Sequence, residues 1–94
     1  MKITGIIWLE EIVEKLERKH GVEQQEVREM LANSPQFRFV EKGHRAGENV
    51  YAASGRTDAG RYLIVFFIHK QDKRALILSA REMTRTERKS YGKK

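Results

Sequence analysis

The sequence predicts an α+β domain: an antiparallel sheet of four to five strands, with two N-terminal helices and one C-terminal helix. Three observations carry this. Apolar residues recur at helical spacing up to Pro35, they alternate with polar residues beyond it, and the alternating segments follow one another through short polar turns. Strands joined that way pair antiparallel with their neighbours. The 94 residues form a single domain over 1–94, with no repeat, linker or low-complexity tract. A chain of this size buries only about 60–65% of its unfolded surface, so it holds one modest core.

The short apolar stretch ahead of Trp8 accounts for the fifth strand. Leu9, Ile12, Val13 and Leu16 then line one face of a helix over 9–19, with glutamates and a lysine between them. Gly21 closes it by supplying a left-handed residue, and Lys19 and His20 complement the dipole of its last turn. Val27, Met30 and Leu31 form the stripe of a second helix over 24–33, ended by Asn33-Ser34-Pro35. Glu23 falls at its N-cap, where a shorter polar side chain is the usual choice. Strands follow at 37–42 and 49–54, and Gly55 to Gly60 reads as a glycine-bracketed turn. Tyr62 to His69 is apolar on both faces and is the expected central strand, covered on each side.

Lys70 to Arg74 is the next turn and 75–81 the last strand. Strict alternation there places Leu76, Leu78 and Ala80 on one face and Ile77, Ser79 and Arg81 on the other. Thr84 and Glu87 form a capping box that opens the third helix, which runs toward Tyr91. The expected core is Ile12, Leu16, Val27, Ile64, Val65, Phe66, Phe67, Leu76 and Leu78, with Phe66 among its largest members.

Composition narrows the function. Hydrophobic residues at 39% and charged residues at 34% describe a globular chain. No apolar run approaches the roughly 20 residues that cross a bilayer, and Glu10 and Glu11 follow the short N-terminal apolar stretch at once. The absence of cysteine excludes disulfides, thiol catalysis and Cys-based zinc sites. The expectation is a cytoplasmic protein that does not engage a membrane. Residues 1–34 carry five Lys and Arg against seven Glu, a net of −2. Residues 35–94 carry fourteen against six Asp and Glu, a net of +8. A basic surface of this kind suits a polyanionic partner or simply keeps the protein soluble.

None of the strong catalytic signatures is present: no phosphate-binding glycine loop with its lysine, no HExxH, no nucleophile elbow. His20, His44 and His69 fall on a helix end, a loop and a strand end, so neither metal nor cofactor is expected. The C-terminal segment is the informative one. Arg81 ends the last strand, while Arg85, Arg88 and Lys89 form one stripe of the third helix. Cations beside a helix N-terminus suit a phosphate, although long arginine stems also cover sheets without any ligand. Lys93 and Lys94 are expected on a frayed tail that adds charge only.

The string from Ser79 to Tyr91, SAREMTRTERKSY, resembles the closing SAR-x-x-T-x-x-E-R-x-x-Y signature of the BrnT toxin family. Lys19-His20-Gly21-Val22 resembles the KHGV of that family, and Trp8 its tryptophan ahead of the first helix. Gly47-Glu48 through Tyr51, then Gly55-Arg56, resemble its GE-x-x-Y…GR stretch, with Arg61 to Phe67 similar to the apolar strand after it. The chain departs from the pattern at Leu9, Glu23 and Leu76. At Leu76 the family often has an arginine, and Arg74 here points to the same face.

The resemblance implies a RelE-like fold and a ribonuclease toxin of a type II toxin–antitoxin pair, acting on RNA without a metal and so inhibiting translation. It implies a cognate antitoxin with a ribbon-helix-helix DNA-binding module, through which the complex oligomerises. On this reading Arg81 and Arg85 stabilise the transition state, converging on one phosphate. His69, Glu87 and Tyr91 are the candidates for proton transfer, Glu87 also being the capping-box partner. Arg56, Arg61, Arg74, Arg88 and Lys89 are the expected RNA-binding residues. Two alternatives stand beside it: a non-catalytic nucleic-acid-binding module using the same basic strip, and a protein-interaction domain whose basic surface meets an acidic partner.

Overall fold

Helix α1 spans Glu10–His20 and α2 spans Gln24–Ala32. Gly21 joins them at φ +59°, the left-handed conformation that side-chain-bearing residues avoid. Its N–H donates to the Glu17 carbonyl and the Val22 N–H to that of Leu16, both at 3.1 Å. Glu23 does cap α2. Its carboxylate accepts the backbone N–H of Glu26, whose side chain in turn accepts the Glu23 N–H at 3.0 Å. The longer acid reaches the same donor a serine would, and its charge suits the positive end of the helix dipole.

A computed structural model describes residues 1–92; Lys93 and Lys94 lie outside the described residues. The sheet has five strands: β1 (Gly5–Ile7), β2 (Gln36–Glu41), β3 (Val50–Arg56), β4 (Tyr62–His69) and β5 (Arg74–Glu82), in the order β1-β5-β4-β3-β2. β2 to β5 form the expected antiparallel meander with β4 at the centre. The sheet is mixed rather than wholly antiparallel, because β1 runs parallel to β5, with Gly5 opposite Arg74. β1 thereby covers the backbone edge that β5 would otherwise leave open.

Helices α1 and α2 pack on one face of the sheet. Leu63, Val65 and Phe67 of β4 meet Leu16, Val22, Val27 and Met30 there, all buried. Gly55 lets α2 approach β3: a Cβ at this position would stand 3.1 Å from the Met30 carbonyl and 3.3 Å from Pro35 Cβ. β5 departs from strict alternation. Phe66 pairs with Ser79 but Phe67 pairs with Ile77, so Leu78 is the extra residue of a bulge. Ala75, Ile77 and Ala80 therefore face the helices and are fully buried, while Leu76 and Leu78 are only partly buried. The core is corrected accordingly: Ile77 belongs to it, and Phe66 lies on the opposite face, partly buried.

That opposite face is covered at one end only, by helix α3 (Arg85–Gly92). Ala52, Ile64 and Met83 form a second small cluster there, with Tyr62, Phe66 and Tyr91 against it. No residue of α3 is fully buried, so polar contacts join the Tyr91 ring in fixing it. Thr84 and Glu87 form the expected capping box, at 2.8 and 3.2 Å. Both Glu87 oxygens also accept the Arg81 guanidinium, at 2.7 and 3.0 Å, and Gln36 donates to the Tyr91 carbonyl at 3.1 Å.

Two outcomes follow for stability. Phe67→Ala should cost about 3–5 kcal/mol in chemical denaturation, as a large buried ring does, and Phe66→Ala clearly less. Hydrogen bonds from Arg81 and the Thr84 backbone lower the Glu87 pKa from 4.5 to about 2. The folded state thus holds this proton more weakly than the unfolded chain does, so the contribution is full above the unfolded pKa. It should be lost as pH falls from 4.5 toward 2, and the acid limb of a stability–pH curve should flatten in Glu87→Gln.

Candidate functional site

The turn after β3 is shorter than the glycines suggest. β3 continues through Arg56, and its last residue pairs with Tyr62, the first of β4. The turn itself is held from within and from α2. The Thr57 N–H donates to the Arg61 carbonyl at 2.9 Å, and the Arg61 N–H to Thr57 Oγ1 at 3.0 Å. Asn33 donates to the Arg56 carbonyl at 2.9 Å and to Asp58 at 3.0 Å. Arg56 and Tyr62 thus occupy a rigid strand end. The β5–α3 junction is tied to the same place by the Met83 N–H, which donates to the Tyr62 carbonyl at 3.1 Å.

Between this strand end and α3 lies a cleft of about 670 Å³. Arg56, Arg85, Arg88 and Lys89 supply four cations to its lining, and Tyr62 and Tyr91 supply two aromatic rings. Among the described residues no carboxylate lines it. Among the described residues none of the four cations makes an ion pair, whereas Arg61, Lys70, Arg74 and Arg81 all do. The rings organise the cations. The guanidinium carbons of Arg88 and Arg56 lie over the Tyr62 ring, 4.2 and 5.1 Å from its centroid. The Tyr91 ring meets Tyr62 edge to face at 6.0 Å. Unpaired cations beside half-buried aromatic rings suit a phosphate backbone.

Of the residues expected from the sequence, Arg56, Arg85, Arg88, Lys89 and Tyr91 come together in this cleft. Arg81 and Glu87 do not line it. Their bidentate pair leaves the Arg81 guanidinium over Phe66, at 5.7 Å, and Glu87 lines a smaller hollow with Arg38, Ser54 and Tyr91. Arg81 is therefore spent on Glu87 and does not share the cleft that Arg85 lines. Held at a pKa of about 2, chiefly by Arg81, Glu87 is a poor proton acceptor near neutrality.

Arg61 faces the helices. It donates to Glu26 at 2.9 and 3.0 Å, to Glu82 at 2.8 Å, and to the carbonyls of Gly21 and His20 at 2.8 and 3.1 Å. Burial works to lower its pKa, but Glu82 and Glu26 together hold it above the usual value. His69 and Arg74 sit at the far end of the sheet: His69 Nε2 is bonded to the Lys2 carbonyl at 2.8 Å and Arg74 to Asp72 at 2.7 Å.

Sequence reading missed Tyr62 and Met83. Starting the turn at Gly55 hid the pairing that sets Tyr62 beside Arg56, and a two-residue turn-to-strand shift would have exposed it. Among the described residues no group of three or more His, Asp or Glu side chains is arranged to hold a metal ion, and no helix is long and apolar enough to cross a membrane.

Comparison with known proteins places these features in a family. The crystal structure of the Brucella abortus ribonuclease toxin BrnT has the same fold, with a TM-score of 0.64 over 89% of this chain and 100% of that one, at 19% sequence identity. No curated protein matches the sequence. The family model for the ribonuclease toxin BrnT of type II toxin–antitoxin systems matches residues 8–87, the helical layer, the whole of β2 to β5 and the first turn of α3. The chain belongs to the BrnT family of ribonuclease toxins.

Proposed function

We propose that this toxin cleaves RNA in the cleft between the β3–β4 strand end and α3. The single observation that carries the reading is the convergence there of four cations without ion-pair partners and two tyrosine rings. Arg85, Arg88 and Lys89, with Arg56 opposite, hold the scissile phosphate and the one beside it. The ribose 2′-OH gives its proton to solvent water as it attacks the adjacent phosphorus, and the bond to the 5′-oxygen breaks. The products end in a 2′,3′-cyclic phosphate and a 5′-hydroxyl, with the proton donor to the 5′-oxygen reprotonated from solvent. The cations stabilise the charge that builds on the phosphoryl oxygens as the attacking bond forms. Tyr91, on the last turn of α3, delivers the proton to the leaving 5′-oxygen. Arg81 and Glu87 serve this chemistry by fixing α3, and the chain's own side chains supply it without a metal.

A toxin of a type II system has a protein antitoxin as its partner. We further propose that this antitoxin carries a ribbon-helix-helix DNA-binding module, that the complex oligomerises through it, and that the free toxin acts on cytoplasmic RNA and so inhibits translation. The family's description supports the partner, and the unpaired cations support the substrate.

Single-turnover cleavage of a labelled RNA at saturating protein tests the site. Arg88→Ala should lower the rate by about 10²–10³-fold, the loss found for one preorganised donor. Arg74→Ala, at the far end of the sheet, should leave it unchanged. Cleavage should persist in EDTA and yield the cyclic phosphate. Equal rates for Arg88→Ala and wild type would remove the cleft from the reaction, and a folded wild-type chain that binds RNA without cutting it would favour the non-catalytic module.

A further inference from the structure

Two of the cleft's cations are carried on separate elements, Arg56 at the end of β3 and Arg88 in α3. Both are long, rotamer-rich side chains, and like charges brought close together repel. Left to themselves they would spread into solvent, and a phosphate would have to gather them at the cost of their freedom. One side chain stands between this outcome and a preformed site. The Tyr62 ring stacks with both guanidinium groups, its centroid 4.2 Å from the Arg88 guanidinium carbon and 5.1 Å from that of Arg56.

The ring is itself fixed from three sides. Its backbone pairs with Arg56 across the strand end, its carbonyl accepts the Met83 N–H, and its edge-to-face contact with Tyr91 joins it to α3. The negative π faces of the ring attract both cations and offset the repulsion between them.

We infer that Tyr62 is a positioning residue for RNA cleavage: its ring gathers Arg56 and Arg88 against itself and presents them, already assembled, to the RNA phosphates. This rests on the cleft being the cleavage site. The role belongs to the ring and not to the phenol. Phenylalanine offers the same kind of face, whereas leucine keeps much of the bulk and lacks the quadrupole.

Single-turnover cleavage by Tyr62→Leu and Tyr62→Phe, each also placed in an Arg88→Ala background, tests this. Binding of an RNA with a 2′-deoxy ribose at the cleavage position is measured alongside. Tyr62→Leu should lower the maximal rate by roughly 5- to 30-fold, the factor expected from two cation–π contacts. Affinity for the uncleavable RNA should change less, since every cation is still present. Tyr62→Phe should cleave within about threefold of wild type, and in the Arg88→Ala background Tyr62→Leu should cost less than it does alone, because contacting residues couple.

A loss of the same size in both backgrounds would make Tyr62 a packing residue only and overturn the inference. Failure of Tyr62→Phe to match wild type would overturn it in favour of a hydroxyl role. If Arg88→Ala cleaves normally, the cleft reading falls and this inference with it. A result in which Arg88→Ala is impaired and Tyr62→Leu is not would overturn the inference alone. Should Tyr62→Leu fail to fold, the wild-type side-chain NMR spectrum decides. The Nε–H signals of Arg56 and Arg88 should be shifted upfield of that of Arg85 by the Tyr62 ring current, and the absence of that shift would overturn the assignment.

Discussion

The Arg61 guanidinium holds the two layers of the molecule together at the end where the cleft opens. It reaches α2 through Glu26, the end of β5 through Glu82, and the α1–α2 junction through the carbonyls of His20 and Gly21. Glu26 also completes the cap of α2, so one carboxylate serves the helix start and the layer contact together. Pairs this accessible contribute little one at a time, but five donors in a fixed fork specify a position well. Beside it in sequence, Tyr62 points to the other face of the sheet. One residue thus locks the scaffold and the next enters the cleft, an arrangement that follows from the two-residue period of a strand.

The basic residues that the sequence put forward for the site divide by whether they are paired. Arg61, Arg74 and Arg81 meet carboxylates and hold parts of the fold together. Arg56, Arg85, Arg88 and Lys89 have no such partner among the described residues, and all line one cleft. Leaving four cations together works against folding through their repulsion, and an aromatic ring lessens that cost without neutralising them, as a carboxylate would. A phosphate arriving there meets charge already concentrated.

The elements were legible because each carries a local signal. Helical spacing up to Pro35, the left-handed Gly21, and the Thr84–Glu87 box each placed a boundary to within a residue or two. What local signals do not carry is register. The bulge at Leu78 moves Ile77 into the core and Leu76 out of it, and no alternation of apolar residues reveals which position a strand will skip. β1 runs parallel to β5, a pairing across nearly 70 residues of chain that only the assembled sheet decides.

In the site the pattern repeats. The stripe of Arg85, Arg88 and Lys89 could be read from helical geometry, and the fold gathers Arg56 and Tyr91 with it in one cleft. Which arginines are free to meet a ligand could not be read, because Arg61 and Arg81 owe their pairing to carboxylates 35 and six residues away.

The proposed function turns on where RNA sits. Backbone amide chemical shifts of the wild-type protein, titrated with an RNA carrying a 2′-deoxy ribose at the cleavage position, locate it most directly. The changes should concentrate at Arg56, Tyr62 and Met83 to Gly92, and leave the end of the sheet around His69 and Arg74 still. Changes centred on His69 and Arg74, with the cleft residues unmoved, would contradict it.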